Sequence, residues 1–272
     1  MTDRLDPVTP PLDATARAAF DRDGYLVLES VFDENEVAAM AAEADRLLGL
    51  VLRSSAVLGA ASPRLDAAMR DGRVHVRKVQ PLNDLSELFA QVSNDERLIA
   101  PMRQLMSDEP ILMEEKLNYK QTVLDGPDLA HIGLSSNDDS FPLHTDYGYF
   151  ELEGYPVDIL SSAISIDDCA GRGPLRVVPG SHRVDYPTRQ PGDGVLTDTS
   201  ALGPGVDIDA PPGSVMVFHS KLVHDSTPNR SGLPRRILIY SHFPARHGGD
   251  PDRRNAPLRD AGQAFERRAG VS

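Results

Sequence analysis

The chain has 272 residues, enough to bury a full hydrophobic core, and no linker or low-complexity tract divides it. We therefore expect one domain over residues 1–272, with a core at about 15–245 and a tail at 246–272. The formal net charge of −13, with no basic stripe to offset it, argues against a nucleic-acid partner. The single cysteine, Cys169, excludes an intrachain disulfide framework, and there is no leader-like segment or membrane-length apolar run, so we expect a cytoplasmic protein.

The N-terminal part of the chain predicts helices with brief strands between them. Asp33 followed by Glu36 is a capping-box pattern, and apolar residues at helical spacing continue from it to about Leu50. The predicted elements are helices at 13–20, 33–50, 85–92 and 93–106, strands at 25–28 and 74–79, and an irregular segment at 52–71.

The second half changes to strands separated by glycine and proline turns. Alternation at 111–122 places Lys116, Asn118 and Lys120 on one face of a strand. The other predicted elements are strands at 157–166, 175–178, 213–218 and 236–243, a short helix at about 258–268, and long loops at 124–140 and 184–212 beside the mouth of a site. Helices first and many short strands after them favour a mainly β fold, a sandwich or jelly roll with an N-terminal helical layer.

One stretch combines groups that can bind a metal. His144 and Asp146 are two residues apart, and on an extended segment their side chains point the same way. A histidine and an aspartate supply two of the three ligands of the triad that holds non-heme Fe(II), and the third must be another histidine. The candidates are His75, His131, His182, His219, His224, His242 and His247. By itself, such a triplet also fits a solvated polar turn.

His224 is followed by two adjacent arginines, Arg235 and Arg236. A guanidinium presents paired donors that match a carboxylate, as binding of a dicarboxylate at the metal would require. Strand alternation does not decide between them, because Arg235 shares a face with Ile237 and Arg236 shares a face with Leu238.

Taken in order, the motifs resemble the phytanoyl-CoA dioxygenase family of Fe(II)/2-oxoglutarate oxygenases. The resemblance spans roughly residues 15–245, and several motifs occur in the family's order, which makes it more specific than any single triplet. The segments that carry it are Phe20-Asp21-Arg22-Asp23-Gly24-Tyr25, His144-Thr145-Asp146, the run from Gly173 to His182, His224 with Ser226 and Asn229, and Arg235.

This resemblance implies a double-stranded β-helix (jelly roll, cupin-like) core in which His144, Asp146 and His224 bind Fe(II). By the family's spacing, Arg235 would hold the far carboxylate of 2-oxoglutarate, with a hydrogen bond from Ser226. Further candidates for the cosubstrate pocket are Asn118 and, more weakly, Lys120 and Thr145. The implied reaction consumes O2 and 2-oxoglutarate, releases succinate and CO2, and hydroxylates a small molecule, a specialised metabolite or an amino-acid-like compound.

Several alternatives stay open at this point. His219 is interpreted as an ordinary hydrogen-bonded histidine. Lys78 and Gln80 fit either a substrate contact or an exposed strand edge, and Tyr147 and Tyr149 fit either pocket walls or packing. The same oxidant could give desaturation, epoxidation or cyclisation. A non-catalytic cupin-like binding protein is a further class, against which the presence of all three ligands together with Arg235 speaks.

Overall fold

The strands of the computed structural model form two antiparallel sheets, described over residues 12–70, 72–123, 129, 132, 134 and 139–271. The strands are β1 (Tyr25–Leu28), β2 (Leu65–Arg70), β3 (Arg73–Val79), β4 (Pro110–Val123), β5 (Phe141–His144), β6 (Leu160–Ser165), β7 (Leu175–Val177), β8 (Val206–Ile208), β9 (Val215–His219), β10 (His224–Ser226) and β11 (Ile237–Pro244). The major sheet has the order β1-β9-β6-β11-β4-β3-β2, and the minor sheet has the order β5-β10-β7-β8. This two-sheet arrangement confirms the predicted jelly-roll class.

Helices flank the two sheets, and the longer N-terminal ones pack on one face of the major sheet. They are α1 (Ala14–Asp23), α2 (Glu34–Leu58), α3 (Glu87–Val92), α4 (Glu96–Met106), a single turn α5 (Tyr147–Phe150) and α6 (Asn255–Ala269). The predicted capping box is present, since Asp33 accepts from the backbone of Glu36 and Glu36 accepts from the backbone of Asp33. At the end of α1, Gly24 takes a left-handed φ of 82°, which lets the chain turn directly into β1.

The prediction of an irregular segment at 52–71 is wrong. Helix α2 continues to Leu58 because its buried face extends through Val51 and Leu52, and it stops only at Gly59, which is left-handed. Strand β2 then pairs with β3. Apolar and polar residues alternate only weakly along β2. Pairing with β3 therefore stabilises this strand more than its own residue pattern does. Within the predicted loop at 184–212, residues 206–208 form β8.

The core lies on both faces of the major sheet, and β11 shows why. Leu238 and Tyr240 pack with the helices, whereas Ile237 and Ile239 pack between the two sheets. This period of two is that of an extended strand buried on both faces. The residues just before β11 follow the same alternation. This alternation determines that Arg235 and Arg236 point to opposite sides of the sheet.

The C-terminal tail docks as helix α6, slightly longer than the predicted 258–268. Arg64, buried at 2% exposure, bonds Glu266 of α6 and Asp84, each at 2.7 Å. Asn255 donates a hydrogen bond to Glu115 of β4. These contacts hold the tail against β4 and against the segment that precedes β2. None of the helices in the described ranges is long and apolar enough to cross a membrane.

Candidate metal centre and cosubstrate pocket

Two histidines are brought together by the pairing of β5 with β10. His144 lies directly opposite His224 in the antiparallel register, and their ring centroids are 4.1 Å apart. Nδ1 of His144 lies 2.7 Å from the carbonyl of Pro142, and Nδ1 of His224 lies 2.9 Å from the carbonyl of Leu222. With Nδ1–H donating to each carbonyl, Nε2 of both rings keeps its lone pair for a metal, and the backbone fixes the ring orientation.

Asp146 completes the group, although not from an extended strand as the sequence predicts. Strand β5 ends at His144, and Asp146 has helical dihedral angles (φ −62°, ψ −36°) at the start of α5. Its Oδ1 lies 3.8 Å from Nε2 of His144 and 4.0 Å from Nε2 of His224. The candidate ligand atoms of the three buried residues lie within 4.8 Å of one another, as one ion requires.

The electrostatics of this group favour metal binding near neutral pH. Burial, and then the neighbouring His224, lower the pKa of His144 to about 3, so the imidazole is neutral. Burial alone would raise the pKa of Asp146, but Lys116 and the two imidazoles outweigh it and bring the pKa to about 2. A neutral imidazole at His144 and an ionised carboxylate at Asp146 are the protonation states in which these groups bind a divalent ion.

The other histidines of the described ranges do not join this group. Nδ1 of His219 accepts a hydrogen bond from the backbone of Lys221, as expected for an ordinary strand-end histidine, and its ring lies 5.6 Å from that of His182. His242 is buried within β11, and His131 lies outside the described residues. Over the described ranges, the triad of His144, Asp146 and His224 is the group that could hold a metal.

The structure separates the two adjacent arginines. Arg236 points to the helical side, where it bonds Asp167 at 2.8 Å and Asp45 of α2 at 2.8 Å. Arg235 points to the opposite side and lines the cavity that contains the triad. It is 2% exposed, its Nε has no hydrogen-bond partner, and no carboxylate of the described residues lies within ion-pair distance. Burial lowers the pKa of this guanidinium, which marks a cation that lacks a counter-ion.

Ser226 and Asn118 line the same cavity as Arg235. Ser226 lies in β10, two residues beyond His224. Asn118 lies in β4 opposite Ile237, and its buried Oδ1 has no hydrogen-bond partner. Both residues therefore contribute polar side chains to the wall of the cavity that contains the triad.

Lys120 and Thr145 are not among the cavity-lining residues. Between Asn118 and Gln121, β4 carries one more residue than β3 does between Lys78 and Val76. This bulge, with a φ of 40° at Lys120, ends the alternation that the sequence suggests, and Nζ of Lys120 bonds the carbonyl of Thr227. Thr145 bonds through its backbone N–H to Gly194 of the 184–212 segment.

Much of the cavity wall could not be predicted from the sequence. Glu114 and Lys116 lie on the same face of β4 as Asn118, and this spacing of two is the one signal that could have found Glu114. Arg254 comes from the tail, and no motif marks it. Lys78 and Tyr149, left open above, do line the cavity, whereas Tyr147 does not. The further lining residues are Asp66, Arg77, Phe141, Pro142, Phe150, Leu175, Phe218, Asp225, Ile237 and Ile239.

These residues fit iron and a 2-oxo diacid. The triad supplies two nitrogens and one oxygen, and the described residues add no fourth ligand, as in facial sites that keep positions open for ligands. The buried guanidinium of Arg235, which has no counter-ion among the described residues, provides the complement to a carboxylate on the same cavity. The predicted long loop at 124–140 falls almost entirely outside the described residues.

The profile of one protein family, Phytanoyl-CoA dioxygenase (PhyH), matches residues 20–237. The chain belongs to the phytanoyl-CoA dioxygenase family. It is 30% identical over 272 residues to ectoine dioxygenase of Sphingopyxis alaskensis, covering 89% of this chain and 82% of that protein. It is 26% identical over 259 residues to L-proline trans-4-hydroxylase of Streptomyces griseoviridis, covering 86% of each.

Solved structures agree with this assignment. The crystal structure of EctD from S. alaskensis with 2-oxoglutarate and 5-hydroxyectoine has a TM-score of 0.65 and 28% identity, covering 89% of this chain and 82% of that one. The epimerase SnoN from nogalamycin biosynthesis, at 22% identity and a TM-score of 0.66 over 85% of this chain and 82% of its own, shares the fold. The predicted family and the predicted class, an iron- and 2-oxoglutarate-dependent dioxygenase, are confirmed.

Proposed function

We propose that this phytanoyl-CoA dioxygenase family member hydroxylates a small amino-acid-like molecule with consumption of O2 and 2-oxoglutarate. The observation that carries the proposal is the placement of the buried triad and the unpaired Arg235 on one cavity. The volume of this cavity, about 260 Å³, suits a metabolite and lies near the lower end of the volumes of small-molecule sites. Both named relatives, an ectoine dioxygenase and a proline hydroxylase, support a compact substrate.

In this proposal, each group has one task. His144, Asp146 and His224 hold the iron, Arg235 binds the far carboxylate of the cosubstrate, and Ser226 and Asn118 donate hydrogen bonds to it. When bound, iron and 2-oxoglutarate supply with O2 the oxidising power that removes hydrogen from a substrate carbon, leaving succinate and CO2.

In this reaction the protein itself binds the reactants and excludes water from the cavity. Phe141, Phe150 and Phe218 form an apolar part of the wall, so they restrict water near the reacting carbon and strengthen the electrostatic contacts inside. A rigid cavity also orients one substrate carbon toward the metal, which is how hydroxylation would be selected over desaturation, epoxidation or cyclisation.

We further propose that residues 1–272 act as a single domain. The interlocking of α6 with Arg64 and Glu115 supports this. We also propose that the protein acts in the cytoplasm. Its one cysteine, Cys169, is buried and unpaired, as fits a reducing compartment.

The test is Fe(II)-dependent conversion of 2-oxoglutarate to succinate, measured with candidate amino and imino acids under air and with ¹⁸O₂. We expect one succinate per product and one labelled oxygen in the product. A non-catalytic binding protein would release no succinate above that of the Asp146→Ala control, and this result would overturn the proposal. An unlabelled product two hydrogens lighter would shift the assignment to desaturation or cyclisation.

A further inference from the structure

The metal ligand His224 lies at the start of a very short strand. Strand β10 has three residues, and its register with β5 shifts between His224 and Ser226. Pairing this short leaves much of the placement of His224 to the chain just before it. The peptide group that joins Leu222 to Val223 orients the ring, because its carbonyl oxygen lies 2.9 Å from Nδ1 of His224.

A serine holds the other side of the same peptide group. The N–H of Val223 donates to Oγ of Ser181 at 2.8 Å, and Ser181 is 3% exposed. The carbonyl and the N–H belong to one planar trans unit and point in opposite directions, so the two hydrogen bonds hold one rigid plane. The carbonyl of Val223 accepts from the N–H of Val178 at 2.9 Å, so the next peptide group is fixed to the same turn.

The turn that carries Ser181 is itself anchored to the end of α1. The N–H of Gly180 donates to the carbonyl of Asp23 at 2.8 Å. The guanidinium of Arg183 donates to two more carbonyls of the same helix, at 2.7 Å each. These bonds hold Ser181 in place without any contribution from β10.

We infer that Ser181 is a positioning residue for the metal centre, which acts on His224 through the peptide group of Leu222 and Val223. The inference rests on the role of His224 as a metal ligand in the proposed function. It also gives a role to the segments 20–25 and 173–182, which carry the family resemblance but supply no metal ligand.

Two physical effects follow from this chain of hydrogen bonds. A fixed peptide plane keeps the Leu222 carbonyl in line with Nδ1–H, so the ring of His224 stays turned toward the ion. A hydrogen bond at the N–H also polarises the peptide group, which makes its carbonyl a stronger acceptor. A stronger bond at Nδ1–H makes Nε2 of the same ring a better metal ligand.

The experiment measures binding of Co(II), a probe for the iron position, to the metal-free, full-length protein by calorimetry. Ser181→Ala should raise the dissociation constant of Co(II) about tenfold, the lower end of what loss of an outer-shell partner costs. Ser181→Thr keeps the hydroxyl acceptor and should stay within about twofold of the wild type. Should Ser181→Ala not fold, Ser181→Cys gives the same comparison, because it offers a much weaker acceptor at similar volume.

Ser55→Ala is the matched control. Ser55 is also buried, its Oγ accepts from the N–H of Ser62 at 3.0 Å, and it lies in α2, which does not line the cavity. Both alanine variants leave a buried N–H without its partner, so each should lower the thermal midpoint of the metal-free protein by a few degrees. Only Ser181→Ala should also lose affinity for Co(II).

Proton NMR of the Co(II)-loaded protein provides a second measurement that a general loss of stability would not change. Each ligand imidazole should give one exchangeable Nδ1–H resonance shifted by the paramagnetic ion. In Ser181→Ala, one of the two should move and exchange faster with water. The other should stay, because His144 donates to a carbonyl of another strand, that of Pro142.

The possible failures are distinguishable. Wild-type affinity for Co(II) in Ser181→Ala, an equal loss in Ser55→Ala, or two unchanged Nδ1–H resonances would overturn the positioning role while leaving the metal centre intact. A wild type that binds no Co(II) would contradict the metal centre of the proposed function, and the inference with it.

Discussion

Replacing Arg235 with alanine should remove most of the affinity for 2-oxoglutarate. Arg235 is 2% exposed and has no protein counter-ion in the described ranges, so a bound carboxylate would be its first ion-pair partner. Breaking a buried charge pair costs about 3–5 kcal/mol, and solvent does not screen a pair at this depth. At about 1.4 kcal/mol per factor of ten, the dissociation constant should rise at least about 100-fold.

Thermal unfolding of the metal-loaded protein measures this loss without turnover. At 2-oxoglutarate concentrations of about 100 times the wild-type dissociation constant, the wild type gains about 2.7 kcal/mol, whereas a variant with about 100-fold weaker binding gains about 0.4 kcal/mol. At about 2 °C per kcal/mol for a chain of this size, the midpoint should rise by about 5 °C in the wild type and about 1 °C in Arg235→Ala.

Arg236→Ala is the matched control, because Arg236 is also buried but is bound to Asp167 and Asp45. It should lower the free energy of unfolding by about 3 kcal/mol, yet keep the midpoint increase with 2-oxoglutarate. If the increase vanished in Arg236→Ala and persisted in Arg235→Ala, the assignment of the cosubstrate arginine would be refuted.

Three further predictions concern the metal and the core. Elemental analysis should find one Fe(II) per chain in the wild type and none in His144→Ala, Asp146→Ala or His224→Ala, whereas His219→Ala should retain the ion. Retention of Fe(II) in His224→Ala together with its loss in His219→Ala would refute the ligand set. Turnover in high chloride or bromide should give no halogenated product by mass spectrometry, because Asp146 fills the position that a halide would need. Burial lowers the pKa of His242 from 6.5 to about 4, so as pH falls the unfolded chain takes up this proton first and stability declines between about pH 6.5 and 4. Between pH 7 and pH 5, this proton uptake should lower the free energy of unfolding measured in urea by about 2 kcal/mol. The His242→Leu variant should lack that part of the decline.

The order of the motifs allowed the family and the triad to be predicted, but not how the triad converges. The expectation that His144 and Asp146 share one strand face is incorrect, because the chain leaves the extended conformation after His144. They meet because the turn into α5 carries Asp146 back toward the paired histidines. Local spacing encodes the residue types, while the pairing of β5 with β10 fixes the distances.

The two arginines illustrate a choice that alternation alone could not make. The sequence shows that Arg235 and Arg236 face opposite ways, but which face is the cavity depends on which sheet surface the helices cover. Likewise, the bulge in β4 turns Lys120 away, and Arg254 reaches the cavity from the turn just before α6, far along the chain. These positions depend on tertiary packing, so no local pattern predicts them.

The backbone anchoring of both imidazoles bears on which ion the protein acquires when it folds. Since Nδ1 of His144 and Nδ1 of His224 are tied to carbonyls of their own strands, the ring positions are set before any ion arrives. A nitrogen and oxygen site of fixed shape gains affinity along the series from Mn²⁺ through Fe²⁺ to Ni²⁺ and Cu²⁺, so it does not favour iron over its heavier competitors. Occupancy by iron is then decided by supply: protein made in nickel- or zinc-rich medium should emerge carrying those ions, and chelation followed by anaerobic reconstitution becomes a precondition for measuring its true rate.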